Sequence, residues 1–119
     1  MEPVKFIRTS RPPSAAVTAA ESAPTGSEGV DCDQFSKCGV TFRALTNVTN
    51  YSLLVWVHDG TGWSQAANAS NEVINIDTLT TTFSQLFDVS GFERVFVQVD
   101  AITAGAGSPS ITRQYSLSN

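Results

Sequence analysis

The feature that most constrains the fold of this chain is the stretch of residues 91–102, GFERVFVQVDAI. Successive side chains of a strand point to opposite faces, so Val95, Val97 and Val99 share one face of this stretch. That face is apolar, and valine and phenylalanine are both enriched in strands. Because Gly91 precedes the stretch and a Gly/Ala/Ser/Pro-rich segment follows it, we predict a central strand of a packed sheet.

Short strand-like runs separated by turn signals fill most of the remaining chain, and none shows sustained helical periodicity. A helix over residues 83–87 is the one alternative left open, although the threonines before it favour a strand. Six to eight strands with a turn every ten or so residues predict an all-β fold, namely an antiparallel β-sandwich, a jelly roll or a small barrel. The other predicted strands cover residues 40–45, 51–58, 71–76, 80–89 and 111–117, and Trp63 begins a return strand after the DGTG turn.

The second strong run, YSLLVWVH at residues 51–58, is apolar on both faces. Leu53, Val55 and Val57 share one face, which we expect to form the core together with the valine face of residues 91–102. A slip of one residue in register would exchange the two faces of either strand.

The opposite face of these two strands carries Leu54, Trp56 and Phe96. A single exposed sheet layer would leave these side chains as a contiguous apolar patch, and patches of this kind usually meet another surface. We therefore predict that the three residues form an oligomer interface. A second sheet of the same domain is the alternative cover.

Composition and charge limit the partners that this chain of 119 residues could have. Hydrophobic residues make up 41% and charged residues 15%, which is typical of a single globular domain. The net charge is −4, but the first 13 residues carry +2 and the remainder −6. An acidic body does not suit phosphate binding, so we expect no nucleic-acid partner. We also expect a soluble, unexported chain without membrane contact, because no apolar run reaches the length of a membrane span or a signal sequence.

The first 30 residues differ in composition from the rest and contain four of the five prolines. Prolines favour extended backbone, and the Ala/Thr/Ser tract among them is too short for a stable helix. We therefore predict an extended N-terminal arm at residues 1–30 and a β-sandwich domain at residues 31–119. Contacts with a neighbouring subunit or a larger assembly would order the arm, and folding back along its own domain is the alternative.

Phe6 and Ile7 are the bulky apolar pair of the arm, and cations surround them. Such a pair can fill a pocket while the cations contact acidic groups at its rim. The predicted partner-binding residues are Lys5, Phe6, Ile7, Arg8 and Arg11.

Cys32 and Cys38 are separated by five residues, a spacing that fits neither a zinc ribbon nor a thioredoxin-like redox pair. With His58 as the only histidine, a four-ligand zinc site would need carboxylates such as Asp31 or Asp33. We therefore predict structural cysteines and no metal. They are either two free thiols or a short-loop disulfide formed in an oxidising medium.

The sequence contains no reaction signature, and we predict neither an enzyme nor a bound cofactor. An aspartate can orient an imidazole, but His58 and Asp59 are adjacent, so a strand would direct them to opposite faces. Tyr51, Trp56 and Trp63 could form a platform for sugar rings. Aromatic residues at a hairpin more often belong to the core or to an interface.

Two segments, FRALTNVTNYSLLVWVHDGTGW and VSGFERVFVQVDAI, resemble small β-sandwich virion proteins of tailed bacteriophages, over residues 40–117. With the N-terminal extension, the chain looks most like a head decoration, or cement, protein. The resemblance implies a homo-oligomer, with a trimer favoured, made in the host cytoplasm and bound to the major capsid protein on the capsid exterior. It implies no catalytic residues. A neck, tail or fibre protein and a carbohydrate-binding adhesin module are the alternatives.

Overall fold

The computed structural model describes residues 8–10, 16–68, 70 and 72–119, and this part of the chain is all-β. The predicted antiparallel sandwich is confirmed, and residues 83–87 lie in a strand. No helix that could cross a membrane occurs among the described residues. The strands are β1 (Arg8–Ser10), β2 (Val30–Asp31), β3 (Lys37–Thr46), β4 (Val48–His58), β5 (Trp63–Gln65), β6 (Asn75–Leu79), β7 (Phe83–Asp88), β8 (Arg94–Ala104) and β9 (Ser110–Ser118).

The strands form two antiparallel sheets. Sheet A has the order β1-β9-β3-β7, and sheet B has the order β2-β8-β4-β5, with β6 also paired to β4. The long strands β4 and β8 make the centre of sheet B, and β3 and β9 make the centre of sheet A. Residues 91–102 therefore contain a central strand as predicted, although β8 begins at Arg94, because Gly91 has a φ of +86° in the preceding turn.

The two predicted core faces lie side by side in sheet B. Val55 is opposite Val97 and Val57 is opposite Val95, so both valine sets point the same way, into the space between the sheets. Tyr51, Leu53, Val55, Val95, Val97 and Val99 are almost completely buried there, and sheet A contributes Val40, Phe42, Ile111, Tyr115 and Leu117 to the same core.

The strand predicted at residues 71–76 is shifted along the chain, since β6 begins at Asn75. The side chain of Asn68 explains the shift, because its Oδ1 accepts hydrogen bonds from the N–H groups of Ser70 and Glu72 at 2.8 and 3.1 Å. An Asx turn of this kind holds the backbone out of the ladder. Among the described residues between β5 and β6, the antiparallel pairing is limited to an isolated bridge between Ala67 and Val73.

The described part of the arm lies on its own domain. Strand β1 pairs with β9, and Val17 forms a two-bond bridge with Ile111 further along the same strand. The chain then passes to sheet B, where β2 pairs with β8. Residues 16–31 thus link an edge of sheet A to an edge of sheet B, so this part of the arm follows the second of the two predicted alternatives.

A buried ion pair fixes this link. Arg113 projects inward from β9, with its side chain 8% exposed, and its Nη1 donates to Glu21 Oε1 at 2.6 Å and to the carbonyl of Val97 at 3.0 Å. The backbone N–H of Val99 donates to Glu21 Oε1, and its carbonyl accepts from the N–H of Glu21. The Tyr115 hydroxyl accepts from the N–H of Val97 at 3.0 Å. These side chains therefore bind backbone N–H and C=O groups of β8 that lie beyond its short pairing with β2. We call the Glu21–Arg113 pair the clasp.

Replacing Glu21 with alanine should lower the free energy of unfolding by about 3 kcal/mol. The change removes the carboxylate that pairs with the buried Arg113 cation and that accepts a hydrogen bond from the N–H of Val99. Urea denaturation measures this change. Glu72→Ala, at an exposed position on the opposite side of the sandwich, is the matched control and should change stability by less than about 0.5 kcal/mol.

The double variant Glu21→Ala/Arg113→Met should recover part of the lost stability, since it removes the uncompensated charge. Equal losses in the Glu21 and Glu72 variants would show that the clasp does not stabilise the fold.

Candidate functional site

Four of the five predicted partner-binding residues, Lys5, Phe6, Ile7 and Arg11, lie outside the described residues. For Arg8 the backbone is described, and it pairs opposite Ser118 at the end of β9. Partner binding by the arm therefore stays a prediction. Because Arg8 lies opposite Ser118, residues 1–7 precede β1 at the end of the sandwich that carries the C-terminus.

The predicted oligomer interface on the second face of sheet B is partly covered by the chain itself. Phe96 is only 4% exposed, while Leu54 and Trp56 are half-buried. The loop of residues 22–29 crosses this face between Glu21 and β2, and the Arg113 guanidinium lies over the Phe96 ring at 5.1 Å from its centre. An interface here stays a prediction, and Phe96 has little surface left to contribute to it.

Hydrogen bonds hold the loop of residues 22–29 against sheet B. Trp63 Nε1 donates to the carbonyl of Gly26 at 3.0 Å, and Arg94 Nη2 donates to the carbonyl of Ser27 at 2.7 Å. At Gly29, which has a φ of +75°, a side chain would collide with the backbone of β8. The loop therefore needs glycine where it returns to the sheet.

The aromatic residues considered as a sugar platform have structural partners. Tyr51 is fully buried and its hydroxyl donates to the carbonyl of Thr81 at 2.6 Å. Trp56 Nε1 donates to Gln98 Oε1 at 2.7 Å, and the Trp63 ring packs edge-on against the imidazole of His58. Their polar atoms therefore hold the domain's own loops and strands together.

His58 and Asp59 serve the turn that joins β4 to β5. His58 Nδ1 accepts from the N–H of Gly60 at 3.0 Å, and Asp59 Oδ1 accepts from the N–H groups of Thr61 and Gly62. These backbone donors lower the pKa of Asp59 from its ordinary value. The carboxylate thus caps the turn, while the imidazole binds a different backbone group.

Cys32 and Cys38 are both buried, and both thiols are free in the structure. Burial raises the pKa of Cys32 to about 11 and that of Cys38 to about 12. Among the residues described, no group of three or more His, Cys, Asp or Glu side chains is placed to hold a metal ion. The disulfide alternative stays a prediction for an oxidising medium.

The open side of the sandwich, opposite the clasp, contains an apolar cleft that the sequence did not indicate. Within the described chain, β7 is an edge strand that pairs only with β3. The cleft lies between β7 and the segment that joins β5 to β6, and its volume is about 280 Å³. Its lining includes Val55, Val57, Ala66, Ile74, Phe87 and Phe92.

Two apolar side chains are exposed next to residues that line the cleft, and neither of them lines it. Leu86 on β7 is 60% exposed and Val73, beside Ile74, is 48% exposed, and they are the large hydrophobic residues that the described chain leaves in solvent. The alternation of FSQLFD indicates that Leu86 is exposed, because it shares a strand face with the polar residues Ser84 and Asp88. The strand predicted at residues 71–76 included Val73 and Ile74, but no pattern in the sequence indicated that this segment and β7 would enclose a cleft.

A second, polar pocket of about 460 Å³ adjoins the cleft, and Phe92 lines both cavities. Its lining contains the carboxylate-bearing residues Asp33, Asp59 and Glu93 and the C-terminal residue Asn119. The apolar cleft therefore has an acidic neighbour at the end of the sandwich where β1 enters. We call the cleft and this acidic pocket together the open-edge site.

The comparisons with known proteins show the fold alone. No protein-family model matches the chain, and no curated protein matches its sequence. Among solved structures, the crystal structure of SPBc2 prophage-derived protein YomS is similar, with a TM-score of 0.67 and 15% sequence identity. The similarity covers 100% of this chain and 99% of that chain.

The two thiols should react slowly with Ellman's reagent while the protein is folded. At pH 8 the raised pKa values reduce the reactive thiolate fraction roughly 100-fold at Cys32 and roughly 1000-fold at Cys38, and burial limits access further. We expect reaction at least about tenfold slower in native buffer than in guanidinium, with both thiols of each chain titrated after unfolding. Rapid reaction in native buffer would contradict the burial, and no thiols after unfolding without reductant would show the disulfide.

Proposed function

We propose that this chain is a structural protein of a tailed-phage particle, and specifically a decoration protein that binds the outside of the major capsid protein shell. The observation that carries the proposal is the end-to-end similarity of the sandwich to a prophage-derived protein. The resemblance of residues 40–117 to phage virion sandwiches supports the same assignment and adds the decoration role.

The arrangement of the described residues suits a protein that braces a shell. The clasp, together with the pairing of β1 and β2, ties the N-terminal segment to both sheets, so a load on that segment reaches the core. The polar side-chain atoms of Tyr51, Trp56 and Trp63, and Nδ1 of His58, are used in internal hydrogen bonds. What the domain offers a partner is its surface, above all the open-edge site.

The chain should co-purify with DNA-filled heads when particles of the phage that encodes it are separated into heads and tails. Quantitative mass spectrometry should find a fixed ratio to the major capsid protein in heads and a depleted signal in isolated tails. Presence in tails alone would favour the neck, tail or fibre alternative, and absence from particles would contradict a virion role.

A chain that lacks residues 1–7 should keep its fold, because β1 and the clasp remain, but should bind stripped heads with at least about tenfold lower occupancy than the full chain. Circular dichroism checks the fold, and gel densitometry of repurified heads checks the occupancy. Arg43→Ala, at an exposed position on β3, is the control and should bind like the full chain. Full occupancy without residues 1–7 would place the attachment surface entirely on the sandwich.

A further inference from the structure

We propose that the open-edge site holds residues 1–7 of the same chain, with Ile7 and Lys5 over the acidic pocket and Val4 and Met1 in the apolar cleft. This deepens the proposed function, on which it rests for its purpose, because it gives the predicted grip a place on the sandwich before the capsid is met. The direct test uses the purified chain alone, so its failure is distinguishable from a failure to bind capsids.

The described part of the arm is held on its own domain along its whole course. Strand β1 pairs with β9, and the clasp joins Glu21 to Arg113. Two side chains then donate hydrogen bonds that hold the loop of residues 22–29 on sheet B. Docking of residues 1–7 on the same sandwich extends this path toward the N-terminus.

The register of sheet A brings the start of β1 to the open-edge site. Arg8 pairs with Ser118 in β9, and Ser118 pairs with Lys37 in β3. Lys37 in turn pairs with Asp88 in β7, which lines the cleft. This row spans three strand spacings, roughly 14 Å. An extended chain rises about 3.4 Å per residue, so residues 1–4 lie within roughly 14 to 24 Å of Arg8 and can reach the cleft.

The acidic pocket lies closer to β1 than the cleft does. Asn119 lines the pocket and directly follows the β9 partner of Arg8. One more residue of β1 pairing puts Ile7 opposite Asn119, and residues paired in this way share a face of the sheet. In an extended segment Lys5 returns to that face, whereas Phe6 points to the other. The strand period therefore directs Ile7 and Lys5 toward the pocket.

The carboxylates of this pocket lack a lysine or arginine partner within the described chain. No ion pair there joins Asp33 or Asp59 to such a cation, and Glu93 has only His58 nearby, at 3.6 Å. Nδ1 of that imidazole accepts a hydrogen bond from the turn backbone, so it has no proton to donate. The turn amides that bind Asp59 favour its ionised form. Lys5 supplies the complementary charge.

The cleft matches the apolar residues of the same segment. Its walls are mainly aliphatic and aromatic, and its volume is about 280 Å³. Met1 and Val4 flank Pro3, which has no N–H group and favours extended backbone. Phe92 lines both the pocket and the cleft, so a chain that leaves Lys5 at the carboxylates enters the cleft beside this ring. The order of chemistry along the segment is therefore the order along the site.

Docking in this place competes with attachment to the shell, because the same segment contains the predicted grip. A free chain then exists in a docked and a released form, and the capsid binds the released form. The apparent affinity for the capsid falls by the fraction of chains that are released. The open-edge site thereby regulates attachment.

Isotope-filtered NOE spectroscopy of the full chain tests the docking directly. We expect contacts from the methyl groups of Ile7 and Val4 to the ring of Phe92, and from Val4 also to the ring of Phe87. An equimolar mixture of labelled and unlabelled protein separates contacts within a chain from contacts between copies. Contacts between copies only, contacts to Trp56 instead, or no contact of these methyl groups with the sandwich would each overturn the proposal.

Asp33→Asn and Asp77→Asn form a matched pair, since both remove one exposed carboxylate but only Asp33 lines the pocket. The methyl chemical shifts of Val4 report the ratio of docked to released chains. Asp33→Asn should lower this ratio about threefold, as expected for an exposed ion pair, and Asp77→Asn should leave it unchanged. High salt should reduce the difference. Equal effects of the two substitutions would contradict the charge contact.

Binding of the same two variants to stripped heads tests the competition. Asp33→Asn should raise the apparent affinity by up to about threefold over Asp77→Asn, because more chains are released. Equal affinities would contradict the competition. NOE contacts within the chain, combined with no binding of either variant to heads, would contradict the proposed function while confirming the docking.

Discussion

An arginine inside a β-sandwich needs an anion within hydrogen-bonding distance, and this requirement governs much of the structure. Arg113 stands on the inward face of β9 among apolar side chains, where an unpaired charge would be strongly destabilising. Glu21 supplies the anion from a segment that also packs on the sandwich through the buried Val17, which forms a bridge with Ile111. The carboxylate and the backbone N–H of Glu21 also bind the N–H and the carbonyl of Val99. One residue therefore both neutralises the Arg113 cation and satisfies backbone groups of β8.

The two edges of the sandwich differ, because the clasp lies at the edge formed by β1 and β2 and not at the edge formed by β7 and β5. On its side, residues 16–31 bridge the sheets, and the loop of residues 22–29 covers the outer face of β8. On the other side, β7 remains an edge strand, and a cleft opens between it and the segment before β6. The loop of residues 22–29 covers part of the clasp side, whereas the cleft on the other side is open to solvent, so the open side is the more accessible place for a partner.

The sequence predicted what depends on alternation and missed what depends on distant pairs. The central strand could be predicted from Val95, Val97 and Val99, because the alternation of apolar residues is visible in the local sequence. Nothing local indicates that Glu21 meets Arg113, 92 positions away. The charged residue within the otherwise apolar face of β9 was the visible sign that a buried partner must exist.

The same limit applies to the site. Phe6 and Ile7 stand out as an anchor because apolar pairs are rare in that segment, but the cleft is assembled from four separate parts of the chain and has no sequence pattern. The face predicted as an interface was chosen from its apolar residues alone. Its cover comes from the arm, whose polar composition gave no hint that it would lie there.

Hydrogen exchange of the full chain and of a chain that lacks residues 1–7 tests the central claim most directly. The account predicts that backbone amides in residues 33–36 and 90–93 exchange faster in the shorter chain, with little change in residues 54–58. Equal exchange in the two chains, or a change confined to residues 54–58, would contradict docking at the open edge.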